Sequence, residues 1–457
     1  MALGQTATFL IQFLATVVLA RYLTPRETGI YAVALSLVGI VSLIQALGLR
    51  AFVVREETLT QEIIATAFTI NALISTALAA VIAGTSWLGA QFLGDVGVQK
   101  VMLVLALMPI FEVFAFLPAA SLERHGRFKE IALVGTLATI ATAIVSIVLV
   151  VIGFSYMSIA YAQWTQGLLS AIAMNIIGRR YASFRIGFSA WRRVADFGLQ
   201  MLAVTGVSAI SIRLSDVILG RFLGLSSLGI YSRASGLNAL IWTNIHLVVG
   251  RVVFVDFADI HRQNLSLRNR YLQTVAVATS VLWPAFAGLA ILSKPFIFIV
   301  YGERWVPAAT PLIFLAISSM ILVAITMTWE LFAATGNLRS QTRIEFIRSL
   351  SSLLAFGIGC TISLTAAAAA RVFDAIFAFI LYRPHLDRMT GTKISDFAPI
   401  YGQSALLTVV AVAPATILMG SYRMAPQVPV IYLLGAVVAG IVLWCVGLVF
   451  LKHPIAE

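Results

Sequence analysis

Seven charged side chains interrupt stretches of this sequence that are otherwise long and apolar. They comprise three arginines and four carboxylic acids, namely Arg213, Arg233, Arg371, Asp216, Asp374, Glu112 and Glu330. A guanidinium group carries a planar set of donors that matches the oxygens of a phosphate. A carboxylate within a membrane is costly to bury unless it is paired, protonated or facing water. The sequence therefore indicates anion binding by the arginines and coupling or charge pairing by the acids.

The spacing of five of these charges leaves two interpretations open. Arg213 and Asp216 are three residues apart, as are Arg371 and Asp374, so each pair shares one helix face. Self-paired charges are the least costly arrangement in lipid, and such pairs would only hold helices together. Arg233 has no partner near it in the sequence, which favours a role in a cavity or in substrate binding.

The two glutamates stand alone in the sequence. Glu112 and Glu330 each lie in an apolar stretch with no basic residue at helical spacing. Each acid could take up a proton or a cation, or it could form a hydrogen bond between helices. Coupling to H⁺ or Na⁺ is therefore possible, and we expect no other cofactor.

The remaining reactive side chains indicate neither an enzyme nor a metal site. Cys360 and Cys445 are the only cysteines, both in predicted helices, and they form no disulfide or metal pattern. The five histidines are scattered. We find no zinc-protease, phosphate-loop or nucleophile-elbow motif.

Composition places the chain in a membrane. Of its 457 residues 60% are hydrophobic and 11% charged, and its mean hydropathy is +0.97. These values leave too little polar surface for a soluble protein of this length. A spanning helix needs about 20 largely apolar residues, and the chain divides almost entirely into such stretches. We predict an all-α integral membrane protein.

Fourteen transmembrane helices are predicted, in an arrangement of six, six and two. The first six lie near residues 2–20, 28–49, 63–86, 100–120, 131–152 and 157–177, and the next six near 197–220, 228–250, 272–292, 309–334, 343–363 and 366–382. Two more lie near 400–420 and 428–450. The predicted domains are an N-terminal lobe (1–178), a basic amphipathic cytoplasmic linker (179–196), a C-terminal lobe (197–383) and a cytoplasmic loop with the last two helices (384–457).

A repeat relates the two lobes. Residues 17–31 read VVLARYLTPRETGIY, and 200 positions later residues 217–231 read VILGRFLGLSSLGIY, with seven identical pairs. Each lobe holds an even number of helices, so both copies begin on the same side of the membrane. The lobes should therefore be parallel repeats, an arrangement typical of alternating-access transporters.

The charges are not repeated. The first-half positions that correspond to Arg213, Asp216 and Arg233 are Phe13, Thr16 and Val33. An anionic ligand near the membrane midplane would therefore be bound mainly by the second lobe.

The distribution of basic residues predicts the orientation. With a cytoplasmic N-terminus, the cytoplasmic loops and tail hold 21 of the 31 Lys and Arg residues, the opposite face holds seven, and three lie inside helices. Cytoplasmic loops of membrane proteins carry the excess of positive charge, so both termini are predicted to be cytoplasmic. The net charge of +12 is explained by this topology rather than by nucleic-acid binding.

The linker between the lobes has two interpretations. It reads RRYASFRIGFSAWRRVADF from Arg179 to Phe197 and combines five arginines with Phe184, Phe188 and Trp191 at helical spacing. An amphipathic helix of this kind would lie in the headgroup layer on anionic lipid. A basic connector that only fixes the topology is equally consistent with the sequence.

Three segments resemble one known family. LARYLTPRETGIYAVALSLVGIVSLIQALGLRAFVV (Leu19 to Val54) and IRLSDVILGRFLGLSSLGIYSRASGL (Ile212 to Leu237) are similar to the openings of its two lobes, and PAASLERHGRFKEIA (Pro118 to Ala132) to the loop between its helices 4 and 5. The family is the polysaccharide transporter (Wzx-type O-antigen or oligosaccharide flippase) branch of the MOP exporter superfamily. The resemblance covers most of the chain and is less clear after about residue 390.

The resemblance implies a function and a mechanism. It implies fourteen helices around a central cavity bordered by helices 1, 2, 7 and 8, and flipping of undecaprenyl-diphosphate-linked oligosaccharides across the bacterial inner membrane. These substrates serve lipopolysaccharide or exopolysaccharide assembly, so a polymerase and other glycan-assembly proteins are possible partners. Rocker-switch exchange of the lobes is the expected mechanism. Members usually begin with a polar stretch, whereas Met1 already lies at the first helix here, which leaves an upstream start open.

Two other functional classes are less consistent with the sequence. A multidrug or organic-cation exporter of the same superfamily should favour acids in its cavity, whereas this chain has three arginines inside its helices. A polytopic glycan polymerase would need a long outer loop carrying catalytic charges, and the longest outer segments, near 87–99 and 293–308, are short.

Overall fold

In the computed structural model the described chain is almost entirely helical. The structure describes residues 2–46, 48–56, 58–181 and 184–450, with side chains described except at 2–7, 9, 44, 46, 193, 195–208, 243–249, 251 and 252. The α-helices are α1 (Ala2–Tyr22), α2 (Pro25–Ser42), α3 (Leu49–Arg55), α4 (Gln61–Leu93), α5 (Val96–Leu105), α6 (Met108–Arg124), α7 (Phe128–Ile152), α8 (Met157–Ile177), α9 (Trp191–Leu223), α10 (Leu225–Arg262), α11 (Arg268–Ile291), α12 (Ser293–Tyr301), α13 (Ala309–Val323), α14 (Thr328–Ala334), α15 (Leu338–Ile362), α16 (Leu364–Thr390), α17 (Ile394–Ser421) and α18 (Val430–Phe450). Short 3₁₀ helices cover Leu43–Ala46 and Glu303–Ala308.

The all-α membrane class is confirmed. Each of the fourteen predicted segments coincides with helix, and in the described part of the chain nine helices are long and apolar enough to cross a membrane. Three predicted segments are interrupted: 28–49 by the 3₁₀ helix Leu43–Ala46 and the break at Gly48, 100–120 by a turn at 106–107, and 309–334 by a turn at 324–327. The number of membrane crossings stays a prediction.

Local sequence explains where α2 begins. Thr24 caps the helix, its hydroxyl accepts from the backbone N–H of Glu27, and the Glu27 carboxylate accepts from the backbone N–H of Thr24. Pro25 occupies the first helical position, where its missing N–H costs nothing. The sequence TPRE thus ends α1 and starts α2 within three residues, which fixes the first copy of the repeat as a tight hairpin.

The chain forms two compact units, residues 1–229 and 230–457. In the first, Phe52, Phe68 and Phe116 of α3, α4 and α6 pack into one buried apolar cluster. The unit also contains the whole of α9 and the first turn of α10. The predicted lobes, which are defined by the repeat rather than by compactness, remain a prediction.

The second unit has a larger aromatic core. Tyr271, Phe332, Tyr382 and Phe397 are all buried and meet in one cluster from α11, α14, α16 and α17. Large apolar side chains of α18 are exposed, Ile431 and Val449 each by 70%. In a soluble protein such exposure would be unfavourable, whereas lipid solvates it.

The linker is not an amphipathic helix through most of its length. Residues 184–188 have no regular secondary structure, and α9 begins only at Trp191. The backbone N–H of Gly187 donates to Thr69 Oγ1 at 3.0 Å, and that of Ala190 to Thr66 Oγ1 at 3.4 Å. Hydrogen bonds thus attach this segment to α4, and the helical-spacing interpretation is wrong for 184–190, which are not helical.

Candidate anion-binding site

Arg233 lies in the second unit, two turns into α10. Gly224, with φ of +83°, ends α9 and allows the chain to turn directly into α10 at Leu225. The side chain of Arg233 is half-buried, and its Nε atom is fully buried without a hydrogen-bond partner among the described residues. A buried donor left in this state is rare in folded proteins, because it has lost its contact with water.

Two aromatic rings enclose the guanidinium group. Its Cζ atom lies 5.2 Å from the centroid of the Trp305 ring and 5.7 Å from that of Tyr301. The two rings also meet edge to face, 6.4 Å apart. Gly302, with φ of +98°, ends α12 between them, and Trp305 then donates its backbone N–H to the Gly302 carbonyl. We call Arg233, Tyr301 and Trp305 the aromatic cage.

The cage binds the cation without using its in-plane donors. Ring faces attract a guanidinium through the aromatic quadrupole, worth about 0.5–2 kcal/mol. Because the rings accept no hydrogen bond in the guanidinium plane, the Nη donors of Arg233 remain for an oxyanion. Within the described residues no carboxylate forms an ion pair with Arg233. The positive charge therefore remains available to a ligand.

Tyr301 adds no negative charge to the cage. The ring is 2% exposed, and its burial raises the pKa of the phenol above its ordinary value, an effect that the nearby Arg233 cation only opposes. Tyr301 is thus a neutral phenol at physiological pH, and the cage keeps the full charge of one arginine.

Arg371, the second arginine of this unit, is tied into the protein. Its Nε donates to the Tyr231 hydroxyl at 3.1 Å and its Nη1 to Ser352 Oγ at 3.1 Å. Its Cζ lies 4.2 Å above the Phe356 ring. These contacts join α10, α15 and α16, so Arg371 is better suited to holding helices together than to binding a ligand.

Asp374 pairs with an arginine, but not with Arg371. Arg348 on α15 donates Nε to Asp374 Oδ1 at 3.1 Å and Nη2 to Oδ2 at 3.0 Å. This two-pronged geometry is the strongest form of the interaction. Arg348 also contacts Glu345, which accepts from the Tyr382 hydroxyl at 2.8 Å. The predicted self-pair of Arg371 and Asp374 is therefore wrong, because a helix neighbour offers better geometry.

Glu330 borders a polar cavity of about 230 Å³ in the same unit. The side chain is 4% exposed and shares the cavity wall with Glu345, Arg348 and Gln341. It follows the break between α13 and α14, where Met327 adopts φ of +58°. Interrupted helices often border ion or substrate sites in transporters. Two carboxylates and one guanidinium thus line this cavity.

Glu112 is not a lone acid. Arg50 on α3 donates to its Oε1 at 3.1 Å. Both side chains are about 40% exposed. Sequence separation of 62 residues hid this pair, which links α3 to α6 in the first unit.

Arg213 and Asp216 belong to the first unit and do not pair with each other there. Asp216 accepts a hydrogen bond from Ser36 of α2 at 2.7 Å. Arg213 lies against Gly39 of α2, where an added Cβ would stand 2.8 Å from its Nε. Among the described residues, Arg213 and Asp216 form no ion pair with each other. Arg213 is thus a second half-buried guanidinium that could bind an anion.

The two copies of the repeat touch each other. A Cβ added to Gly29 would overlap the carbonyl oxygen of Leu225, and one added to Gly229 would overlap that of Pro25. Positions 29 and 229, and 25 and 225, correspond through the repeat, so the contact is reciprocal. Only hydrogen at both α-carbons permits this approach. We call it the glycine contact.

Comparison with known proteins identifies the family and the fold. A family model described as "Polysaccharide biosynthesis protein" matches residues 18–310, more than half of the chain. The chain belongs to this family. The succinoglycan biosynthesis transport protein ExoT of Rhizobium meliloti is 24% identical over 70% of this chain and 65% of ExoT. The lipopolysaccharide biosynthesis protein WzxC of Escherichia coli is 22% identical over 63% of this chain and 59% of WzxC.

This chain matches only part of each of these relatives, which limits what they indicate about its function. The matched part is less than two thirds of ExoT, and for the teichuronic acid biosynthesis protein TuaB of Bacillus subtilis it is 33%, at 28% identity over 36% of this chain. Membership of the polysaccharide biosynthesis family is thus shown, together with its membrane character.

Solved structures share the fold. The lipid II flippase MurJ, in an inward closed conformation, superimposes with a TM-score of 0.81 at 15% identity, over 100% of this chain and 99% of that one. An inward-facing multidrug resistance MATE transporter of the MOP superfamily gives 0.66 at 14% identity, over 84% and 96%. The predicted fold class is confirmed, and fold alone does not separate the two kinds of transporter.

Sequence reasoning missed the aromatic half of the cage. Tyr301 and Trp305 lie in an outer segment that was assessed only for its length, since no long catalytic loop was present. A usable signal was there: Phe296, Phe298, Tyr301 and Trp305 give this segment an unusual density of rings. The lone Arg233 was recognised, but its partners lie about 70 residues away.

Proposed function

We propose that this member of the polysaccharide biosynthesis family flips undecaprenyl-diphosphate-linked oligosaccharides across the bacterial inner membrane by alternating access. Family membership and relatives named for polysaccharide transport support a transporter rather than an enzyme. The single observation that carries the substrate class is the aromatic cage, which positions an arginine between two rings without an ion pair and with a buried Nε that has no partner among the described residues. Diphosphate oxygens match such donors in shape and charge.

Arg233 is the leading contact for the diphosphate, and Arg213 is the second candidate. Each guanidinium is half-buried and neither forms an ion pair with a described carboxylate. Arg371 has the weakest case of the three predicted arginines, because Tyr231 and Ser352 already accept from it. The lipid tail would remain in the bilayer while the headgroup moves.

The glycine contact is proposed to close the transport path at the predicted outer face. Gly29 and Gly229 meet the backbone of the opposite copy of the repeat, and the copies lie at the predicted outer ends of their hairpins. In the opposite state these helix starts would separate. Gly229→Ala should therefore block closure and stop transport, because the obstructing atom is a backbone oxygen that cannot move aside.

A matched control exists on the same helix. Gly236 has no heavy atom within 4 Å of an added Cβ, so Gly236→Ala should transport normally. The measurement is accumulation of lipid-linked intermediates on the cytoplasmic side. Normal transport by Gly229→Ala would contradict the proposal that the glycine contact closes the transport path.

Energy coupling is proposed to involve a proton at the polar cavity of the second unit. Glu330 is buried in its wall, and the cavity also holds Glu345 and Arg348. Protonation of one buried carboxylate changes the cavity charge by one unit, which suits a conformational switch. Na⁺ in the same cavity is the alternative, and reconstituted protein tested under imposed H⁺ or Na⁺ gradients would separate the two.

Location and partners follow from the same proposal. We place both termini in the cytoplasm, in accordance with the excess of basic residues in the loops predicted to face it. A polymerase and other glycan-assembly proteins would receive the flipped repeat units. Neither the glycan nor its length is specified by the features described above.

A multidrug exporter is the second candidate, supported by a shared fold with a MATE transporter. An organic cation would need a carboxylate in the position where this chain presents the caged Arg233. Arginine repels such a substrate, so this candidate requires another site. The polar cavity near Glu330 is lined by two carboxylates, and its volume of about 230 Å³ is small for a drug-sized ligand.

The decisive experiment is deletion of the gene followed by complementation. Deletion should leave lipid-linked oligosaccharide accumulated on the cytoplasmic side. Wild-type protein should clear it, whereas Arg233→Gln should slow clearance by about tenfold or more, since a charge-assisted contact is worth about 1.5–3 kcal/mol. Arg304→Gln is the matched control, because Arg304 is exposed on the same segment beside Trp305.

Two outcomes would overturn the proposal. If deletion caused no accumulation but sensitised cells to cationic drugs, the chain would be an exporter. If Arg233→Gln, present at wild-type amounts, cleared intermediates as fast as wild type, the cage would not bind the substrate.

A further inference from the structure

An apolar groove of about 760 Å³ runs along the first unit beside the linker. Its walls are α6 and α8, and Phe184 of the linker lines one end. Arg179 is the one charged residue among those that line it. The volume lies within the range of about 300–1,000 Å³ that is usual for sites of small molecules.

Gly167 within α8 and Gly178 just after it let α6 and α8 pack closely at either end of the groove. A Cβ on Gly167 would lie 2.8 Å from the ring of Phe111, and one on Gly178 would lie 2.8 Å from Pro118 Cβ. The groove residues Leu168, Ile172 and others fall between these contacts along α8. The groove is therefore a fixed feature of the α6–α8 packing rather than a gap between loose helices.

The one neutral polar side chain that lines the groove uses its amide nitrogen within the protein. Asn175 Nδ2 donates to the carbonyl oxygens of Phe114 and Ala171, each at 2.8 Å. With its amide used by the backbone, the wall presents hydrocarbon. Ile172 is 48% exposed and Ile176 67%, so the groove opens towards the surrounding lipid.

The linker places unpaired positive charge at the arginine end of the groove. Phe184 packs edge to face on Phe68 at 5.5 Å and on Phe114 at 6.2 Å, which fixes the linker against the groove wall. The exposed arginines of this region are Arg179, Arg180, Arg185 and Arg192. None of them forms an ion pair with a described residue.

We propose that this groove binds the acyl chain of an anionic phospholipid, whose headgroup phosphate is held by Arg179 and the linker arginines. Basic pockets between membrane helices on the cytoplasmic side select such lipids. Because the groove opens directly to the bilayer, a bulk phospholipid is favoured over the transported substrate as its occupant. The bound lipid would fix the linker in the headgroup layer, the role that an amphipathic helix was expected to play.

The test uses the full-length protein in nanodiscs that contain phosphatidylglycerol or phosphatidylcholine. Native mass spectrometry should detect one phosphatidylglycerol retained per chain and no retained phosphatidylcholine. Arg179→Gln should lower retention by about fivefold, the change expected from removing one basic residue at an anionic surface. Ile172→Trp, which fills the groove, should lower it further.

Matched variants control for charge and bulk. Arg388 is exposed but lies outside the groove, and Ile144 is 56% exposed on the lipid side of α7. Arg388→Gln and Ile144→Trp should retain the lipid as wild type does. A phosphatidylglycerol with a photoreactive acyl chain should label peptides from α6 and α8 in wild-type protein, a readout that does not depend on any variant folding.

Three results would overturn the proposal. Retention of phosphatidylcholine equal to that of phosphatidylglycerol would show that the arginines do not select an anionic headgroup. Unchanged retention of phosphatidylglycerol in both Arg179→Gln and Ile172→Trp would show that the lipid binds outside this groove. Displacement of phosphatidylglycerol by undecaprenyl phosphate at equal concentration would show that the groove binds the substrate instead. The lipid measurement does not depend on the flippase proposal, so failure of that proposal would leave the lipid result unchanged.

Discussion

Arg233 and Arg371 are two half-buried arginines of one compact unit, and the protein treats them differently. Arg371 donates to Tyr231 and Ser352 and stacks on Phe356. Arg233 also stacks on aromatic rings, but its buried Nε has no partner among the described residues. The rings give both cations a similar environment, so the hydrogen bonds make the difference between them.

The difference separates a structural charge from a binding charge. A buried guanidinium whose donors are satisfied stabilises the helices that satisfy them. One that is positioned by rings alone is fixed in space while its donors remain for a ligand. Tyr231 and Arg233 are two residues apart on α10, so the same turn of helix serves both purposes.

The largest expected effect concerns the planar shape of the Arg233 side chain. Arg233→Lys keeps the charge but loses the planar fork and its stacking on the cage. We expect transport to fall by about tenfold, with an unchanged melting temperature. Clearance of lipid-linked intermediates and thermal unfolding of the purified protein measure the two quantities. Full activity in the lysine variant would mean that charge alone suffices.

The opposite pattern is expected for Arg371. Arg371→Gln removes the hydrogen bonds that join α10, α15 and α16, at a cost of about 1–3 kcal/mol. The melting temperature should therefore fall, while transport per folded molecule changes by less than about twofold. Equal loss of transport in Arg371→Gln and Arg233→Lys, measured per folded molecule, would remove the distinction between the two arginines.

The smallest effect is expected from the Tyr301 hydroxyl. Tyr301→Phe keeps the ring face that Arg233 contacts, so transport should stay within about twofold of wild type. Tyr301→Leu, which removes the ring, is the informative companion and should lower transport more than Tyr301→Phe does. The same clearance assay compares them. If Tyr301→Phe were inactive, the hydroxyl rather than the ring would be the functional group.

The sequence predicted the architecture better than the contacts. Apolar length placed helix in each of the fourteen predicted segments, because crossing a bilayer requires it irrespective of partners, but it did not indicate the short helices α3 and α12. It also identified Arg233, since an isolated charge is costly wherever it lies. The breaks at 106–107 and 324–327 were missed because the surrounding residues stay apolar through each turn.

Contacts between distant residues could not be predicted. Helical spacing offered Arg371 as the partner of Asp374, yet Arg348 lies 26 positions away and reaches both carboxylate oxygens. Likewise Glu112 meets Arg50 across 62 positions. Spacing rules describe one helix at a time, whereas a charge in a bundle is paired by whichever neighbouring helix presents the better geometry.

The glycine contact has a consequence for how the two copies could diverge. Its reciprocal form is that of an isologous interface, in which one surface patch meets itself across a two-fold axis. In a dimer of identical chains, every substitution near such an axis appears twice. Within one chain, a residue such as Phe13 can stay apolar while its counterpart becomes Arg213. Symmetry is thus kept where the backbones meet at Gly29 and Gly229, and relaxed where the side chains differ.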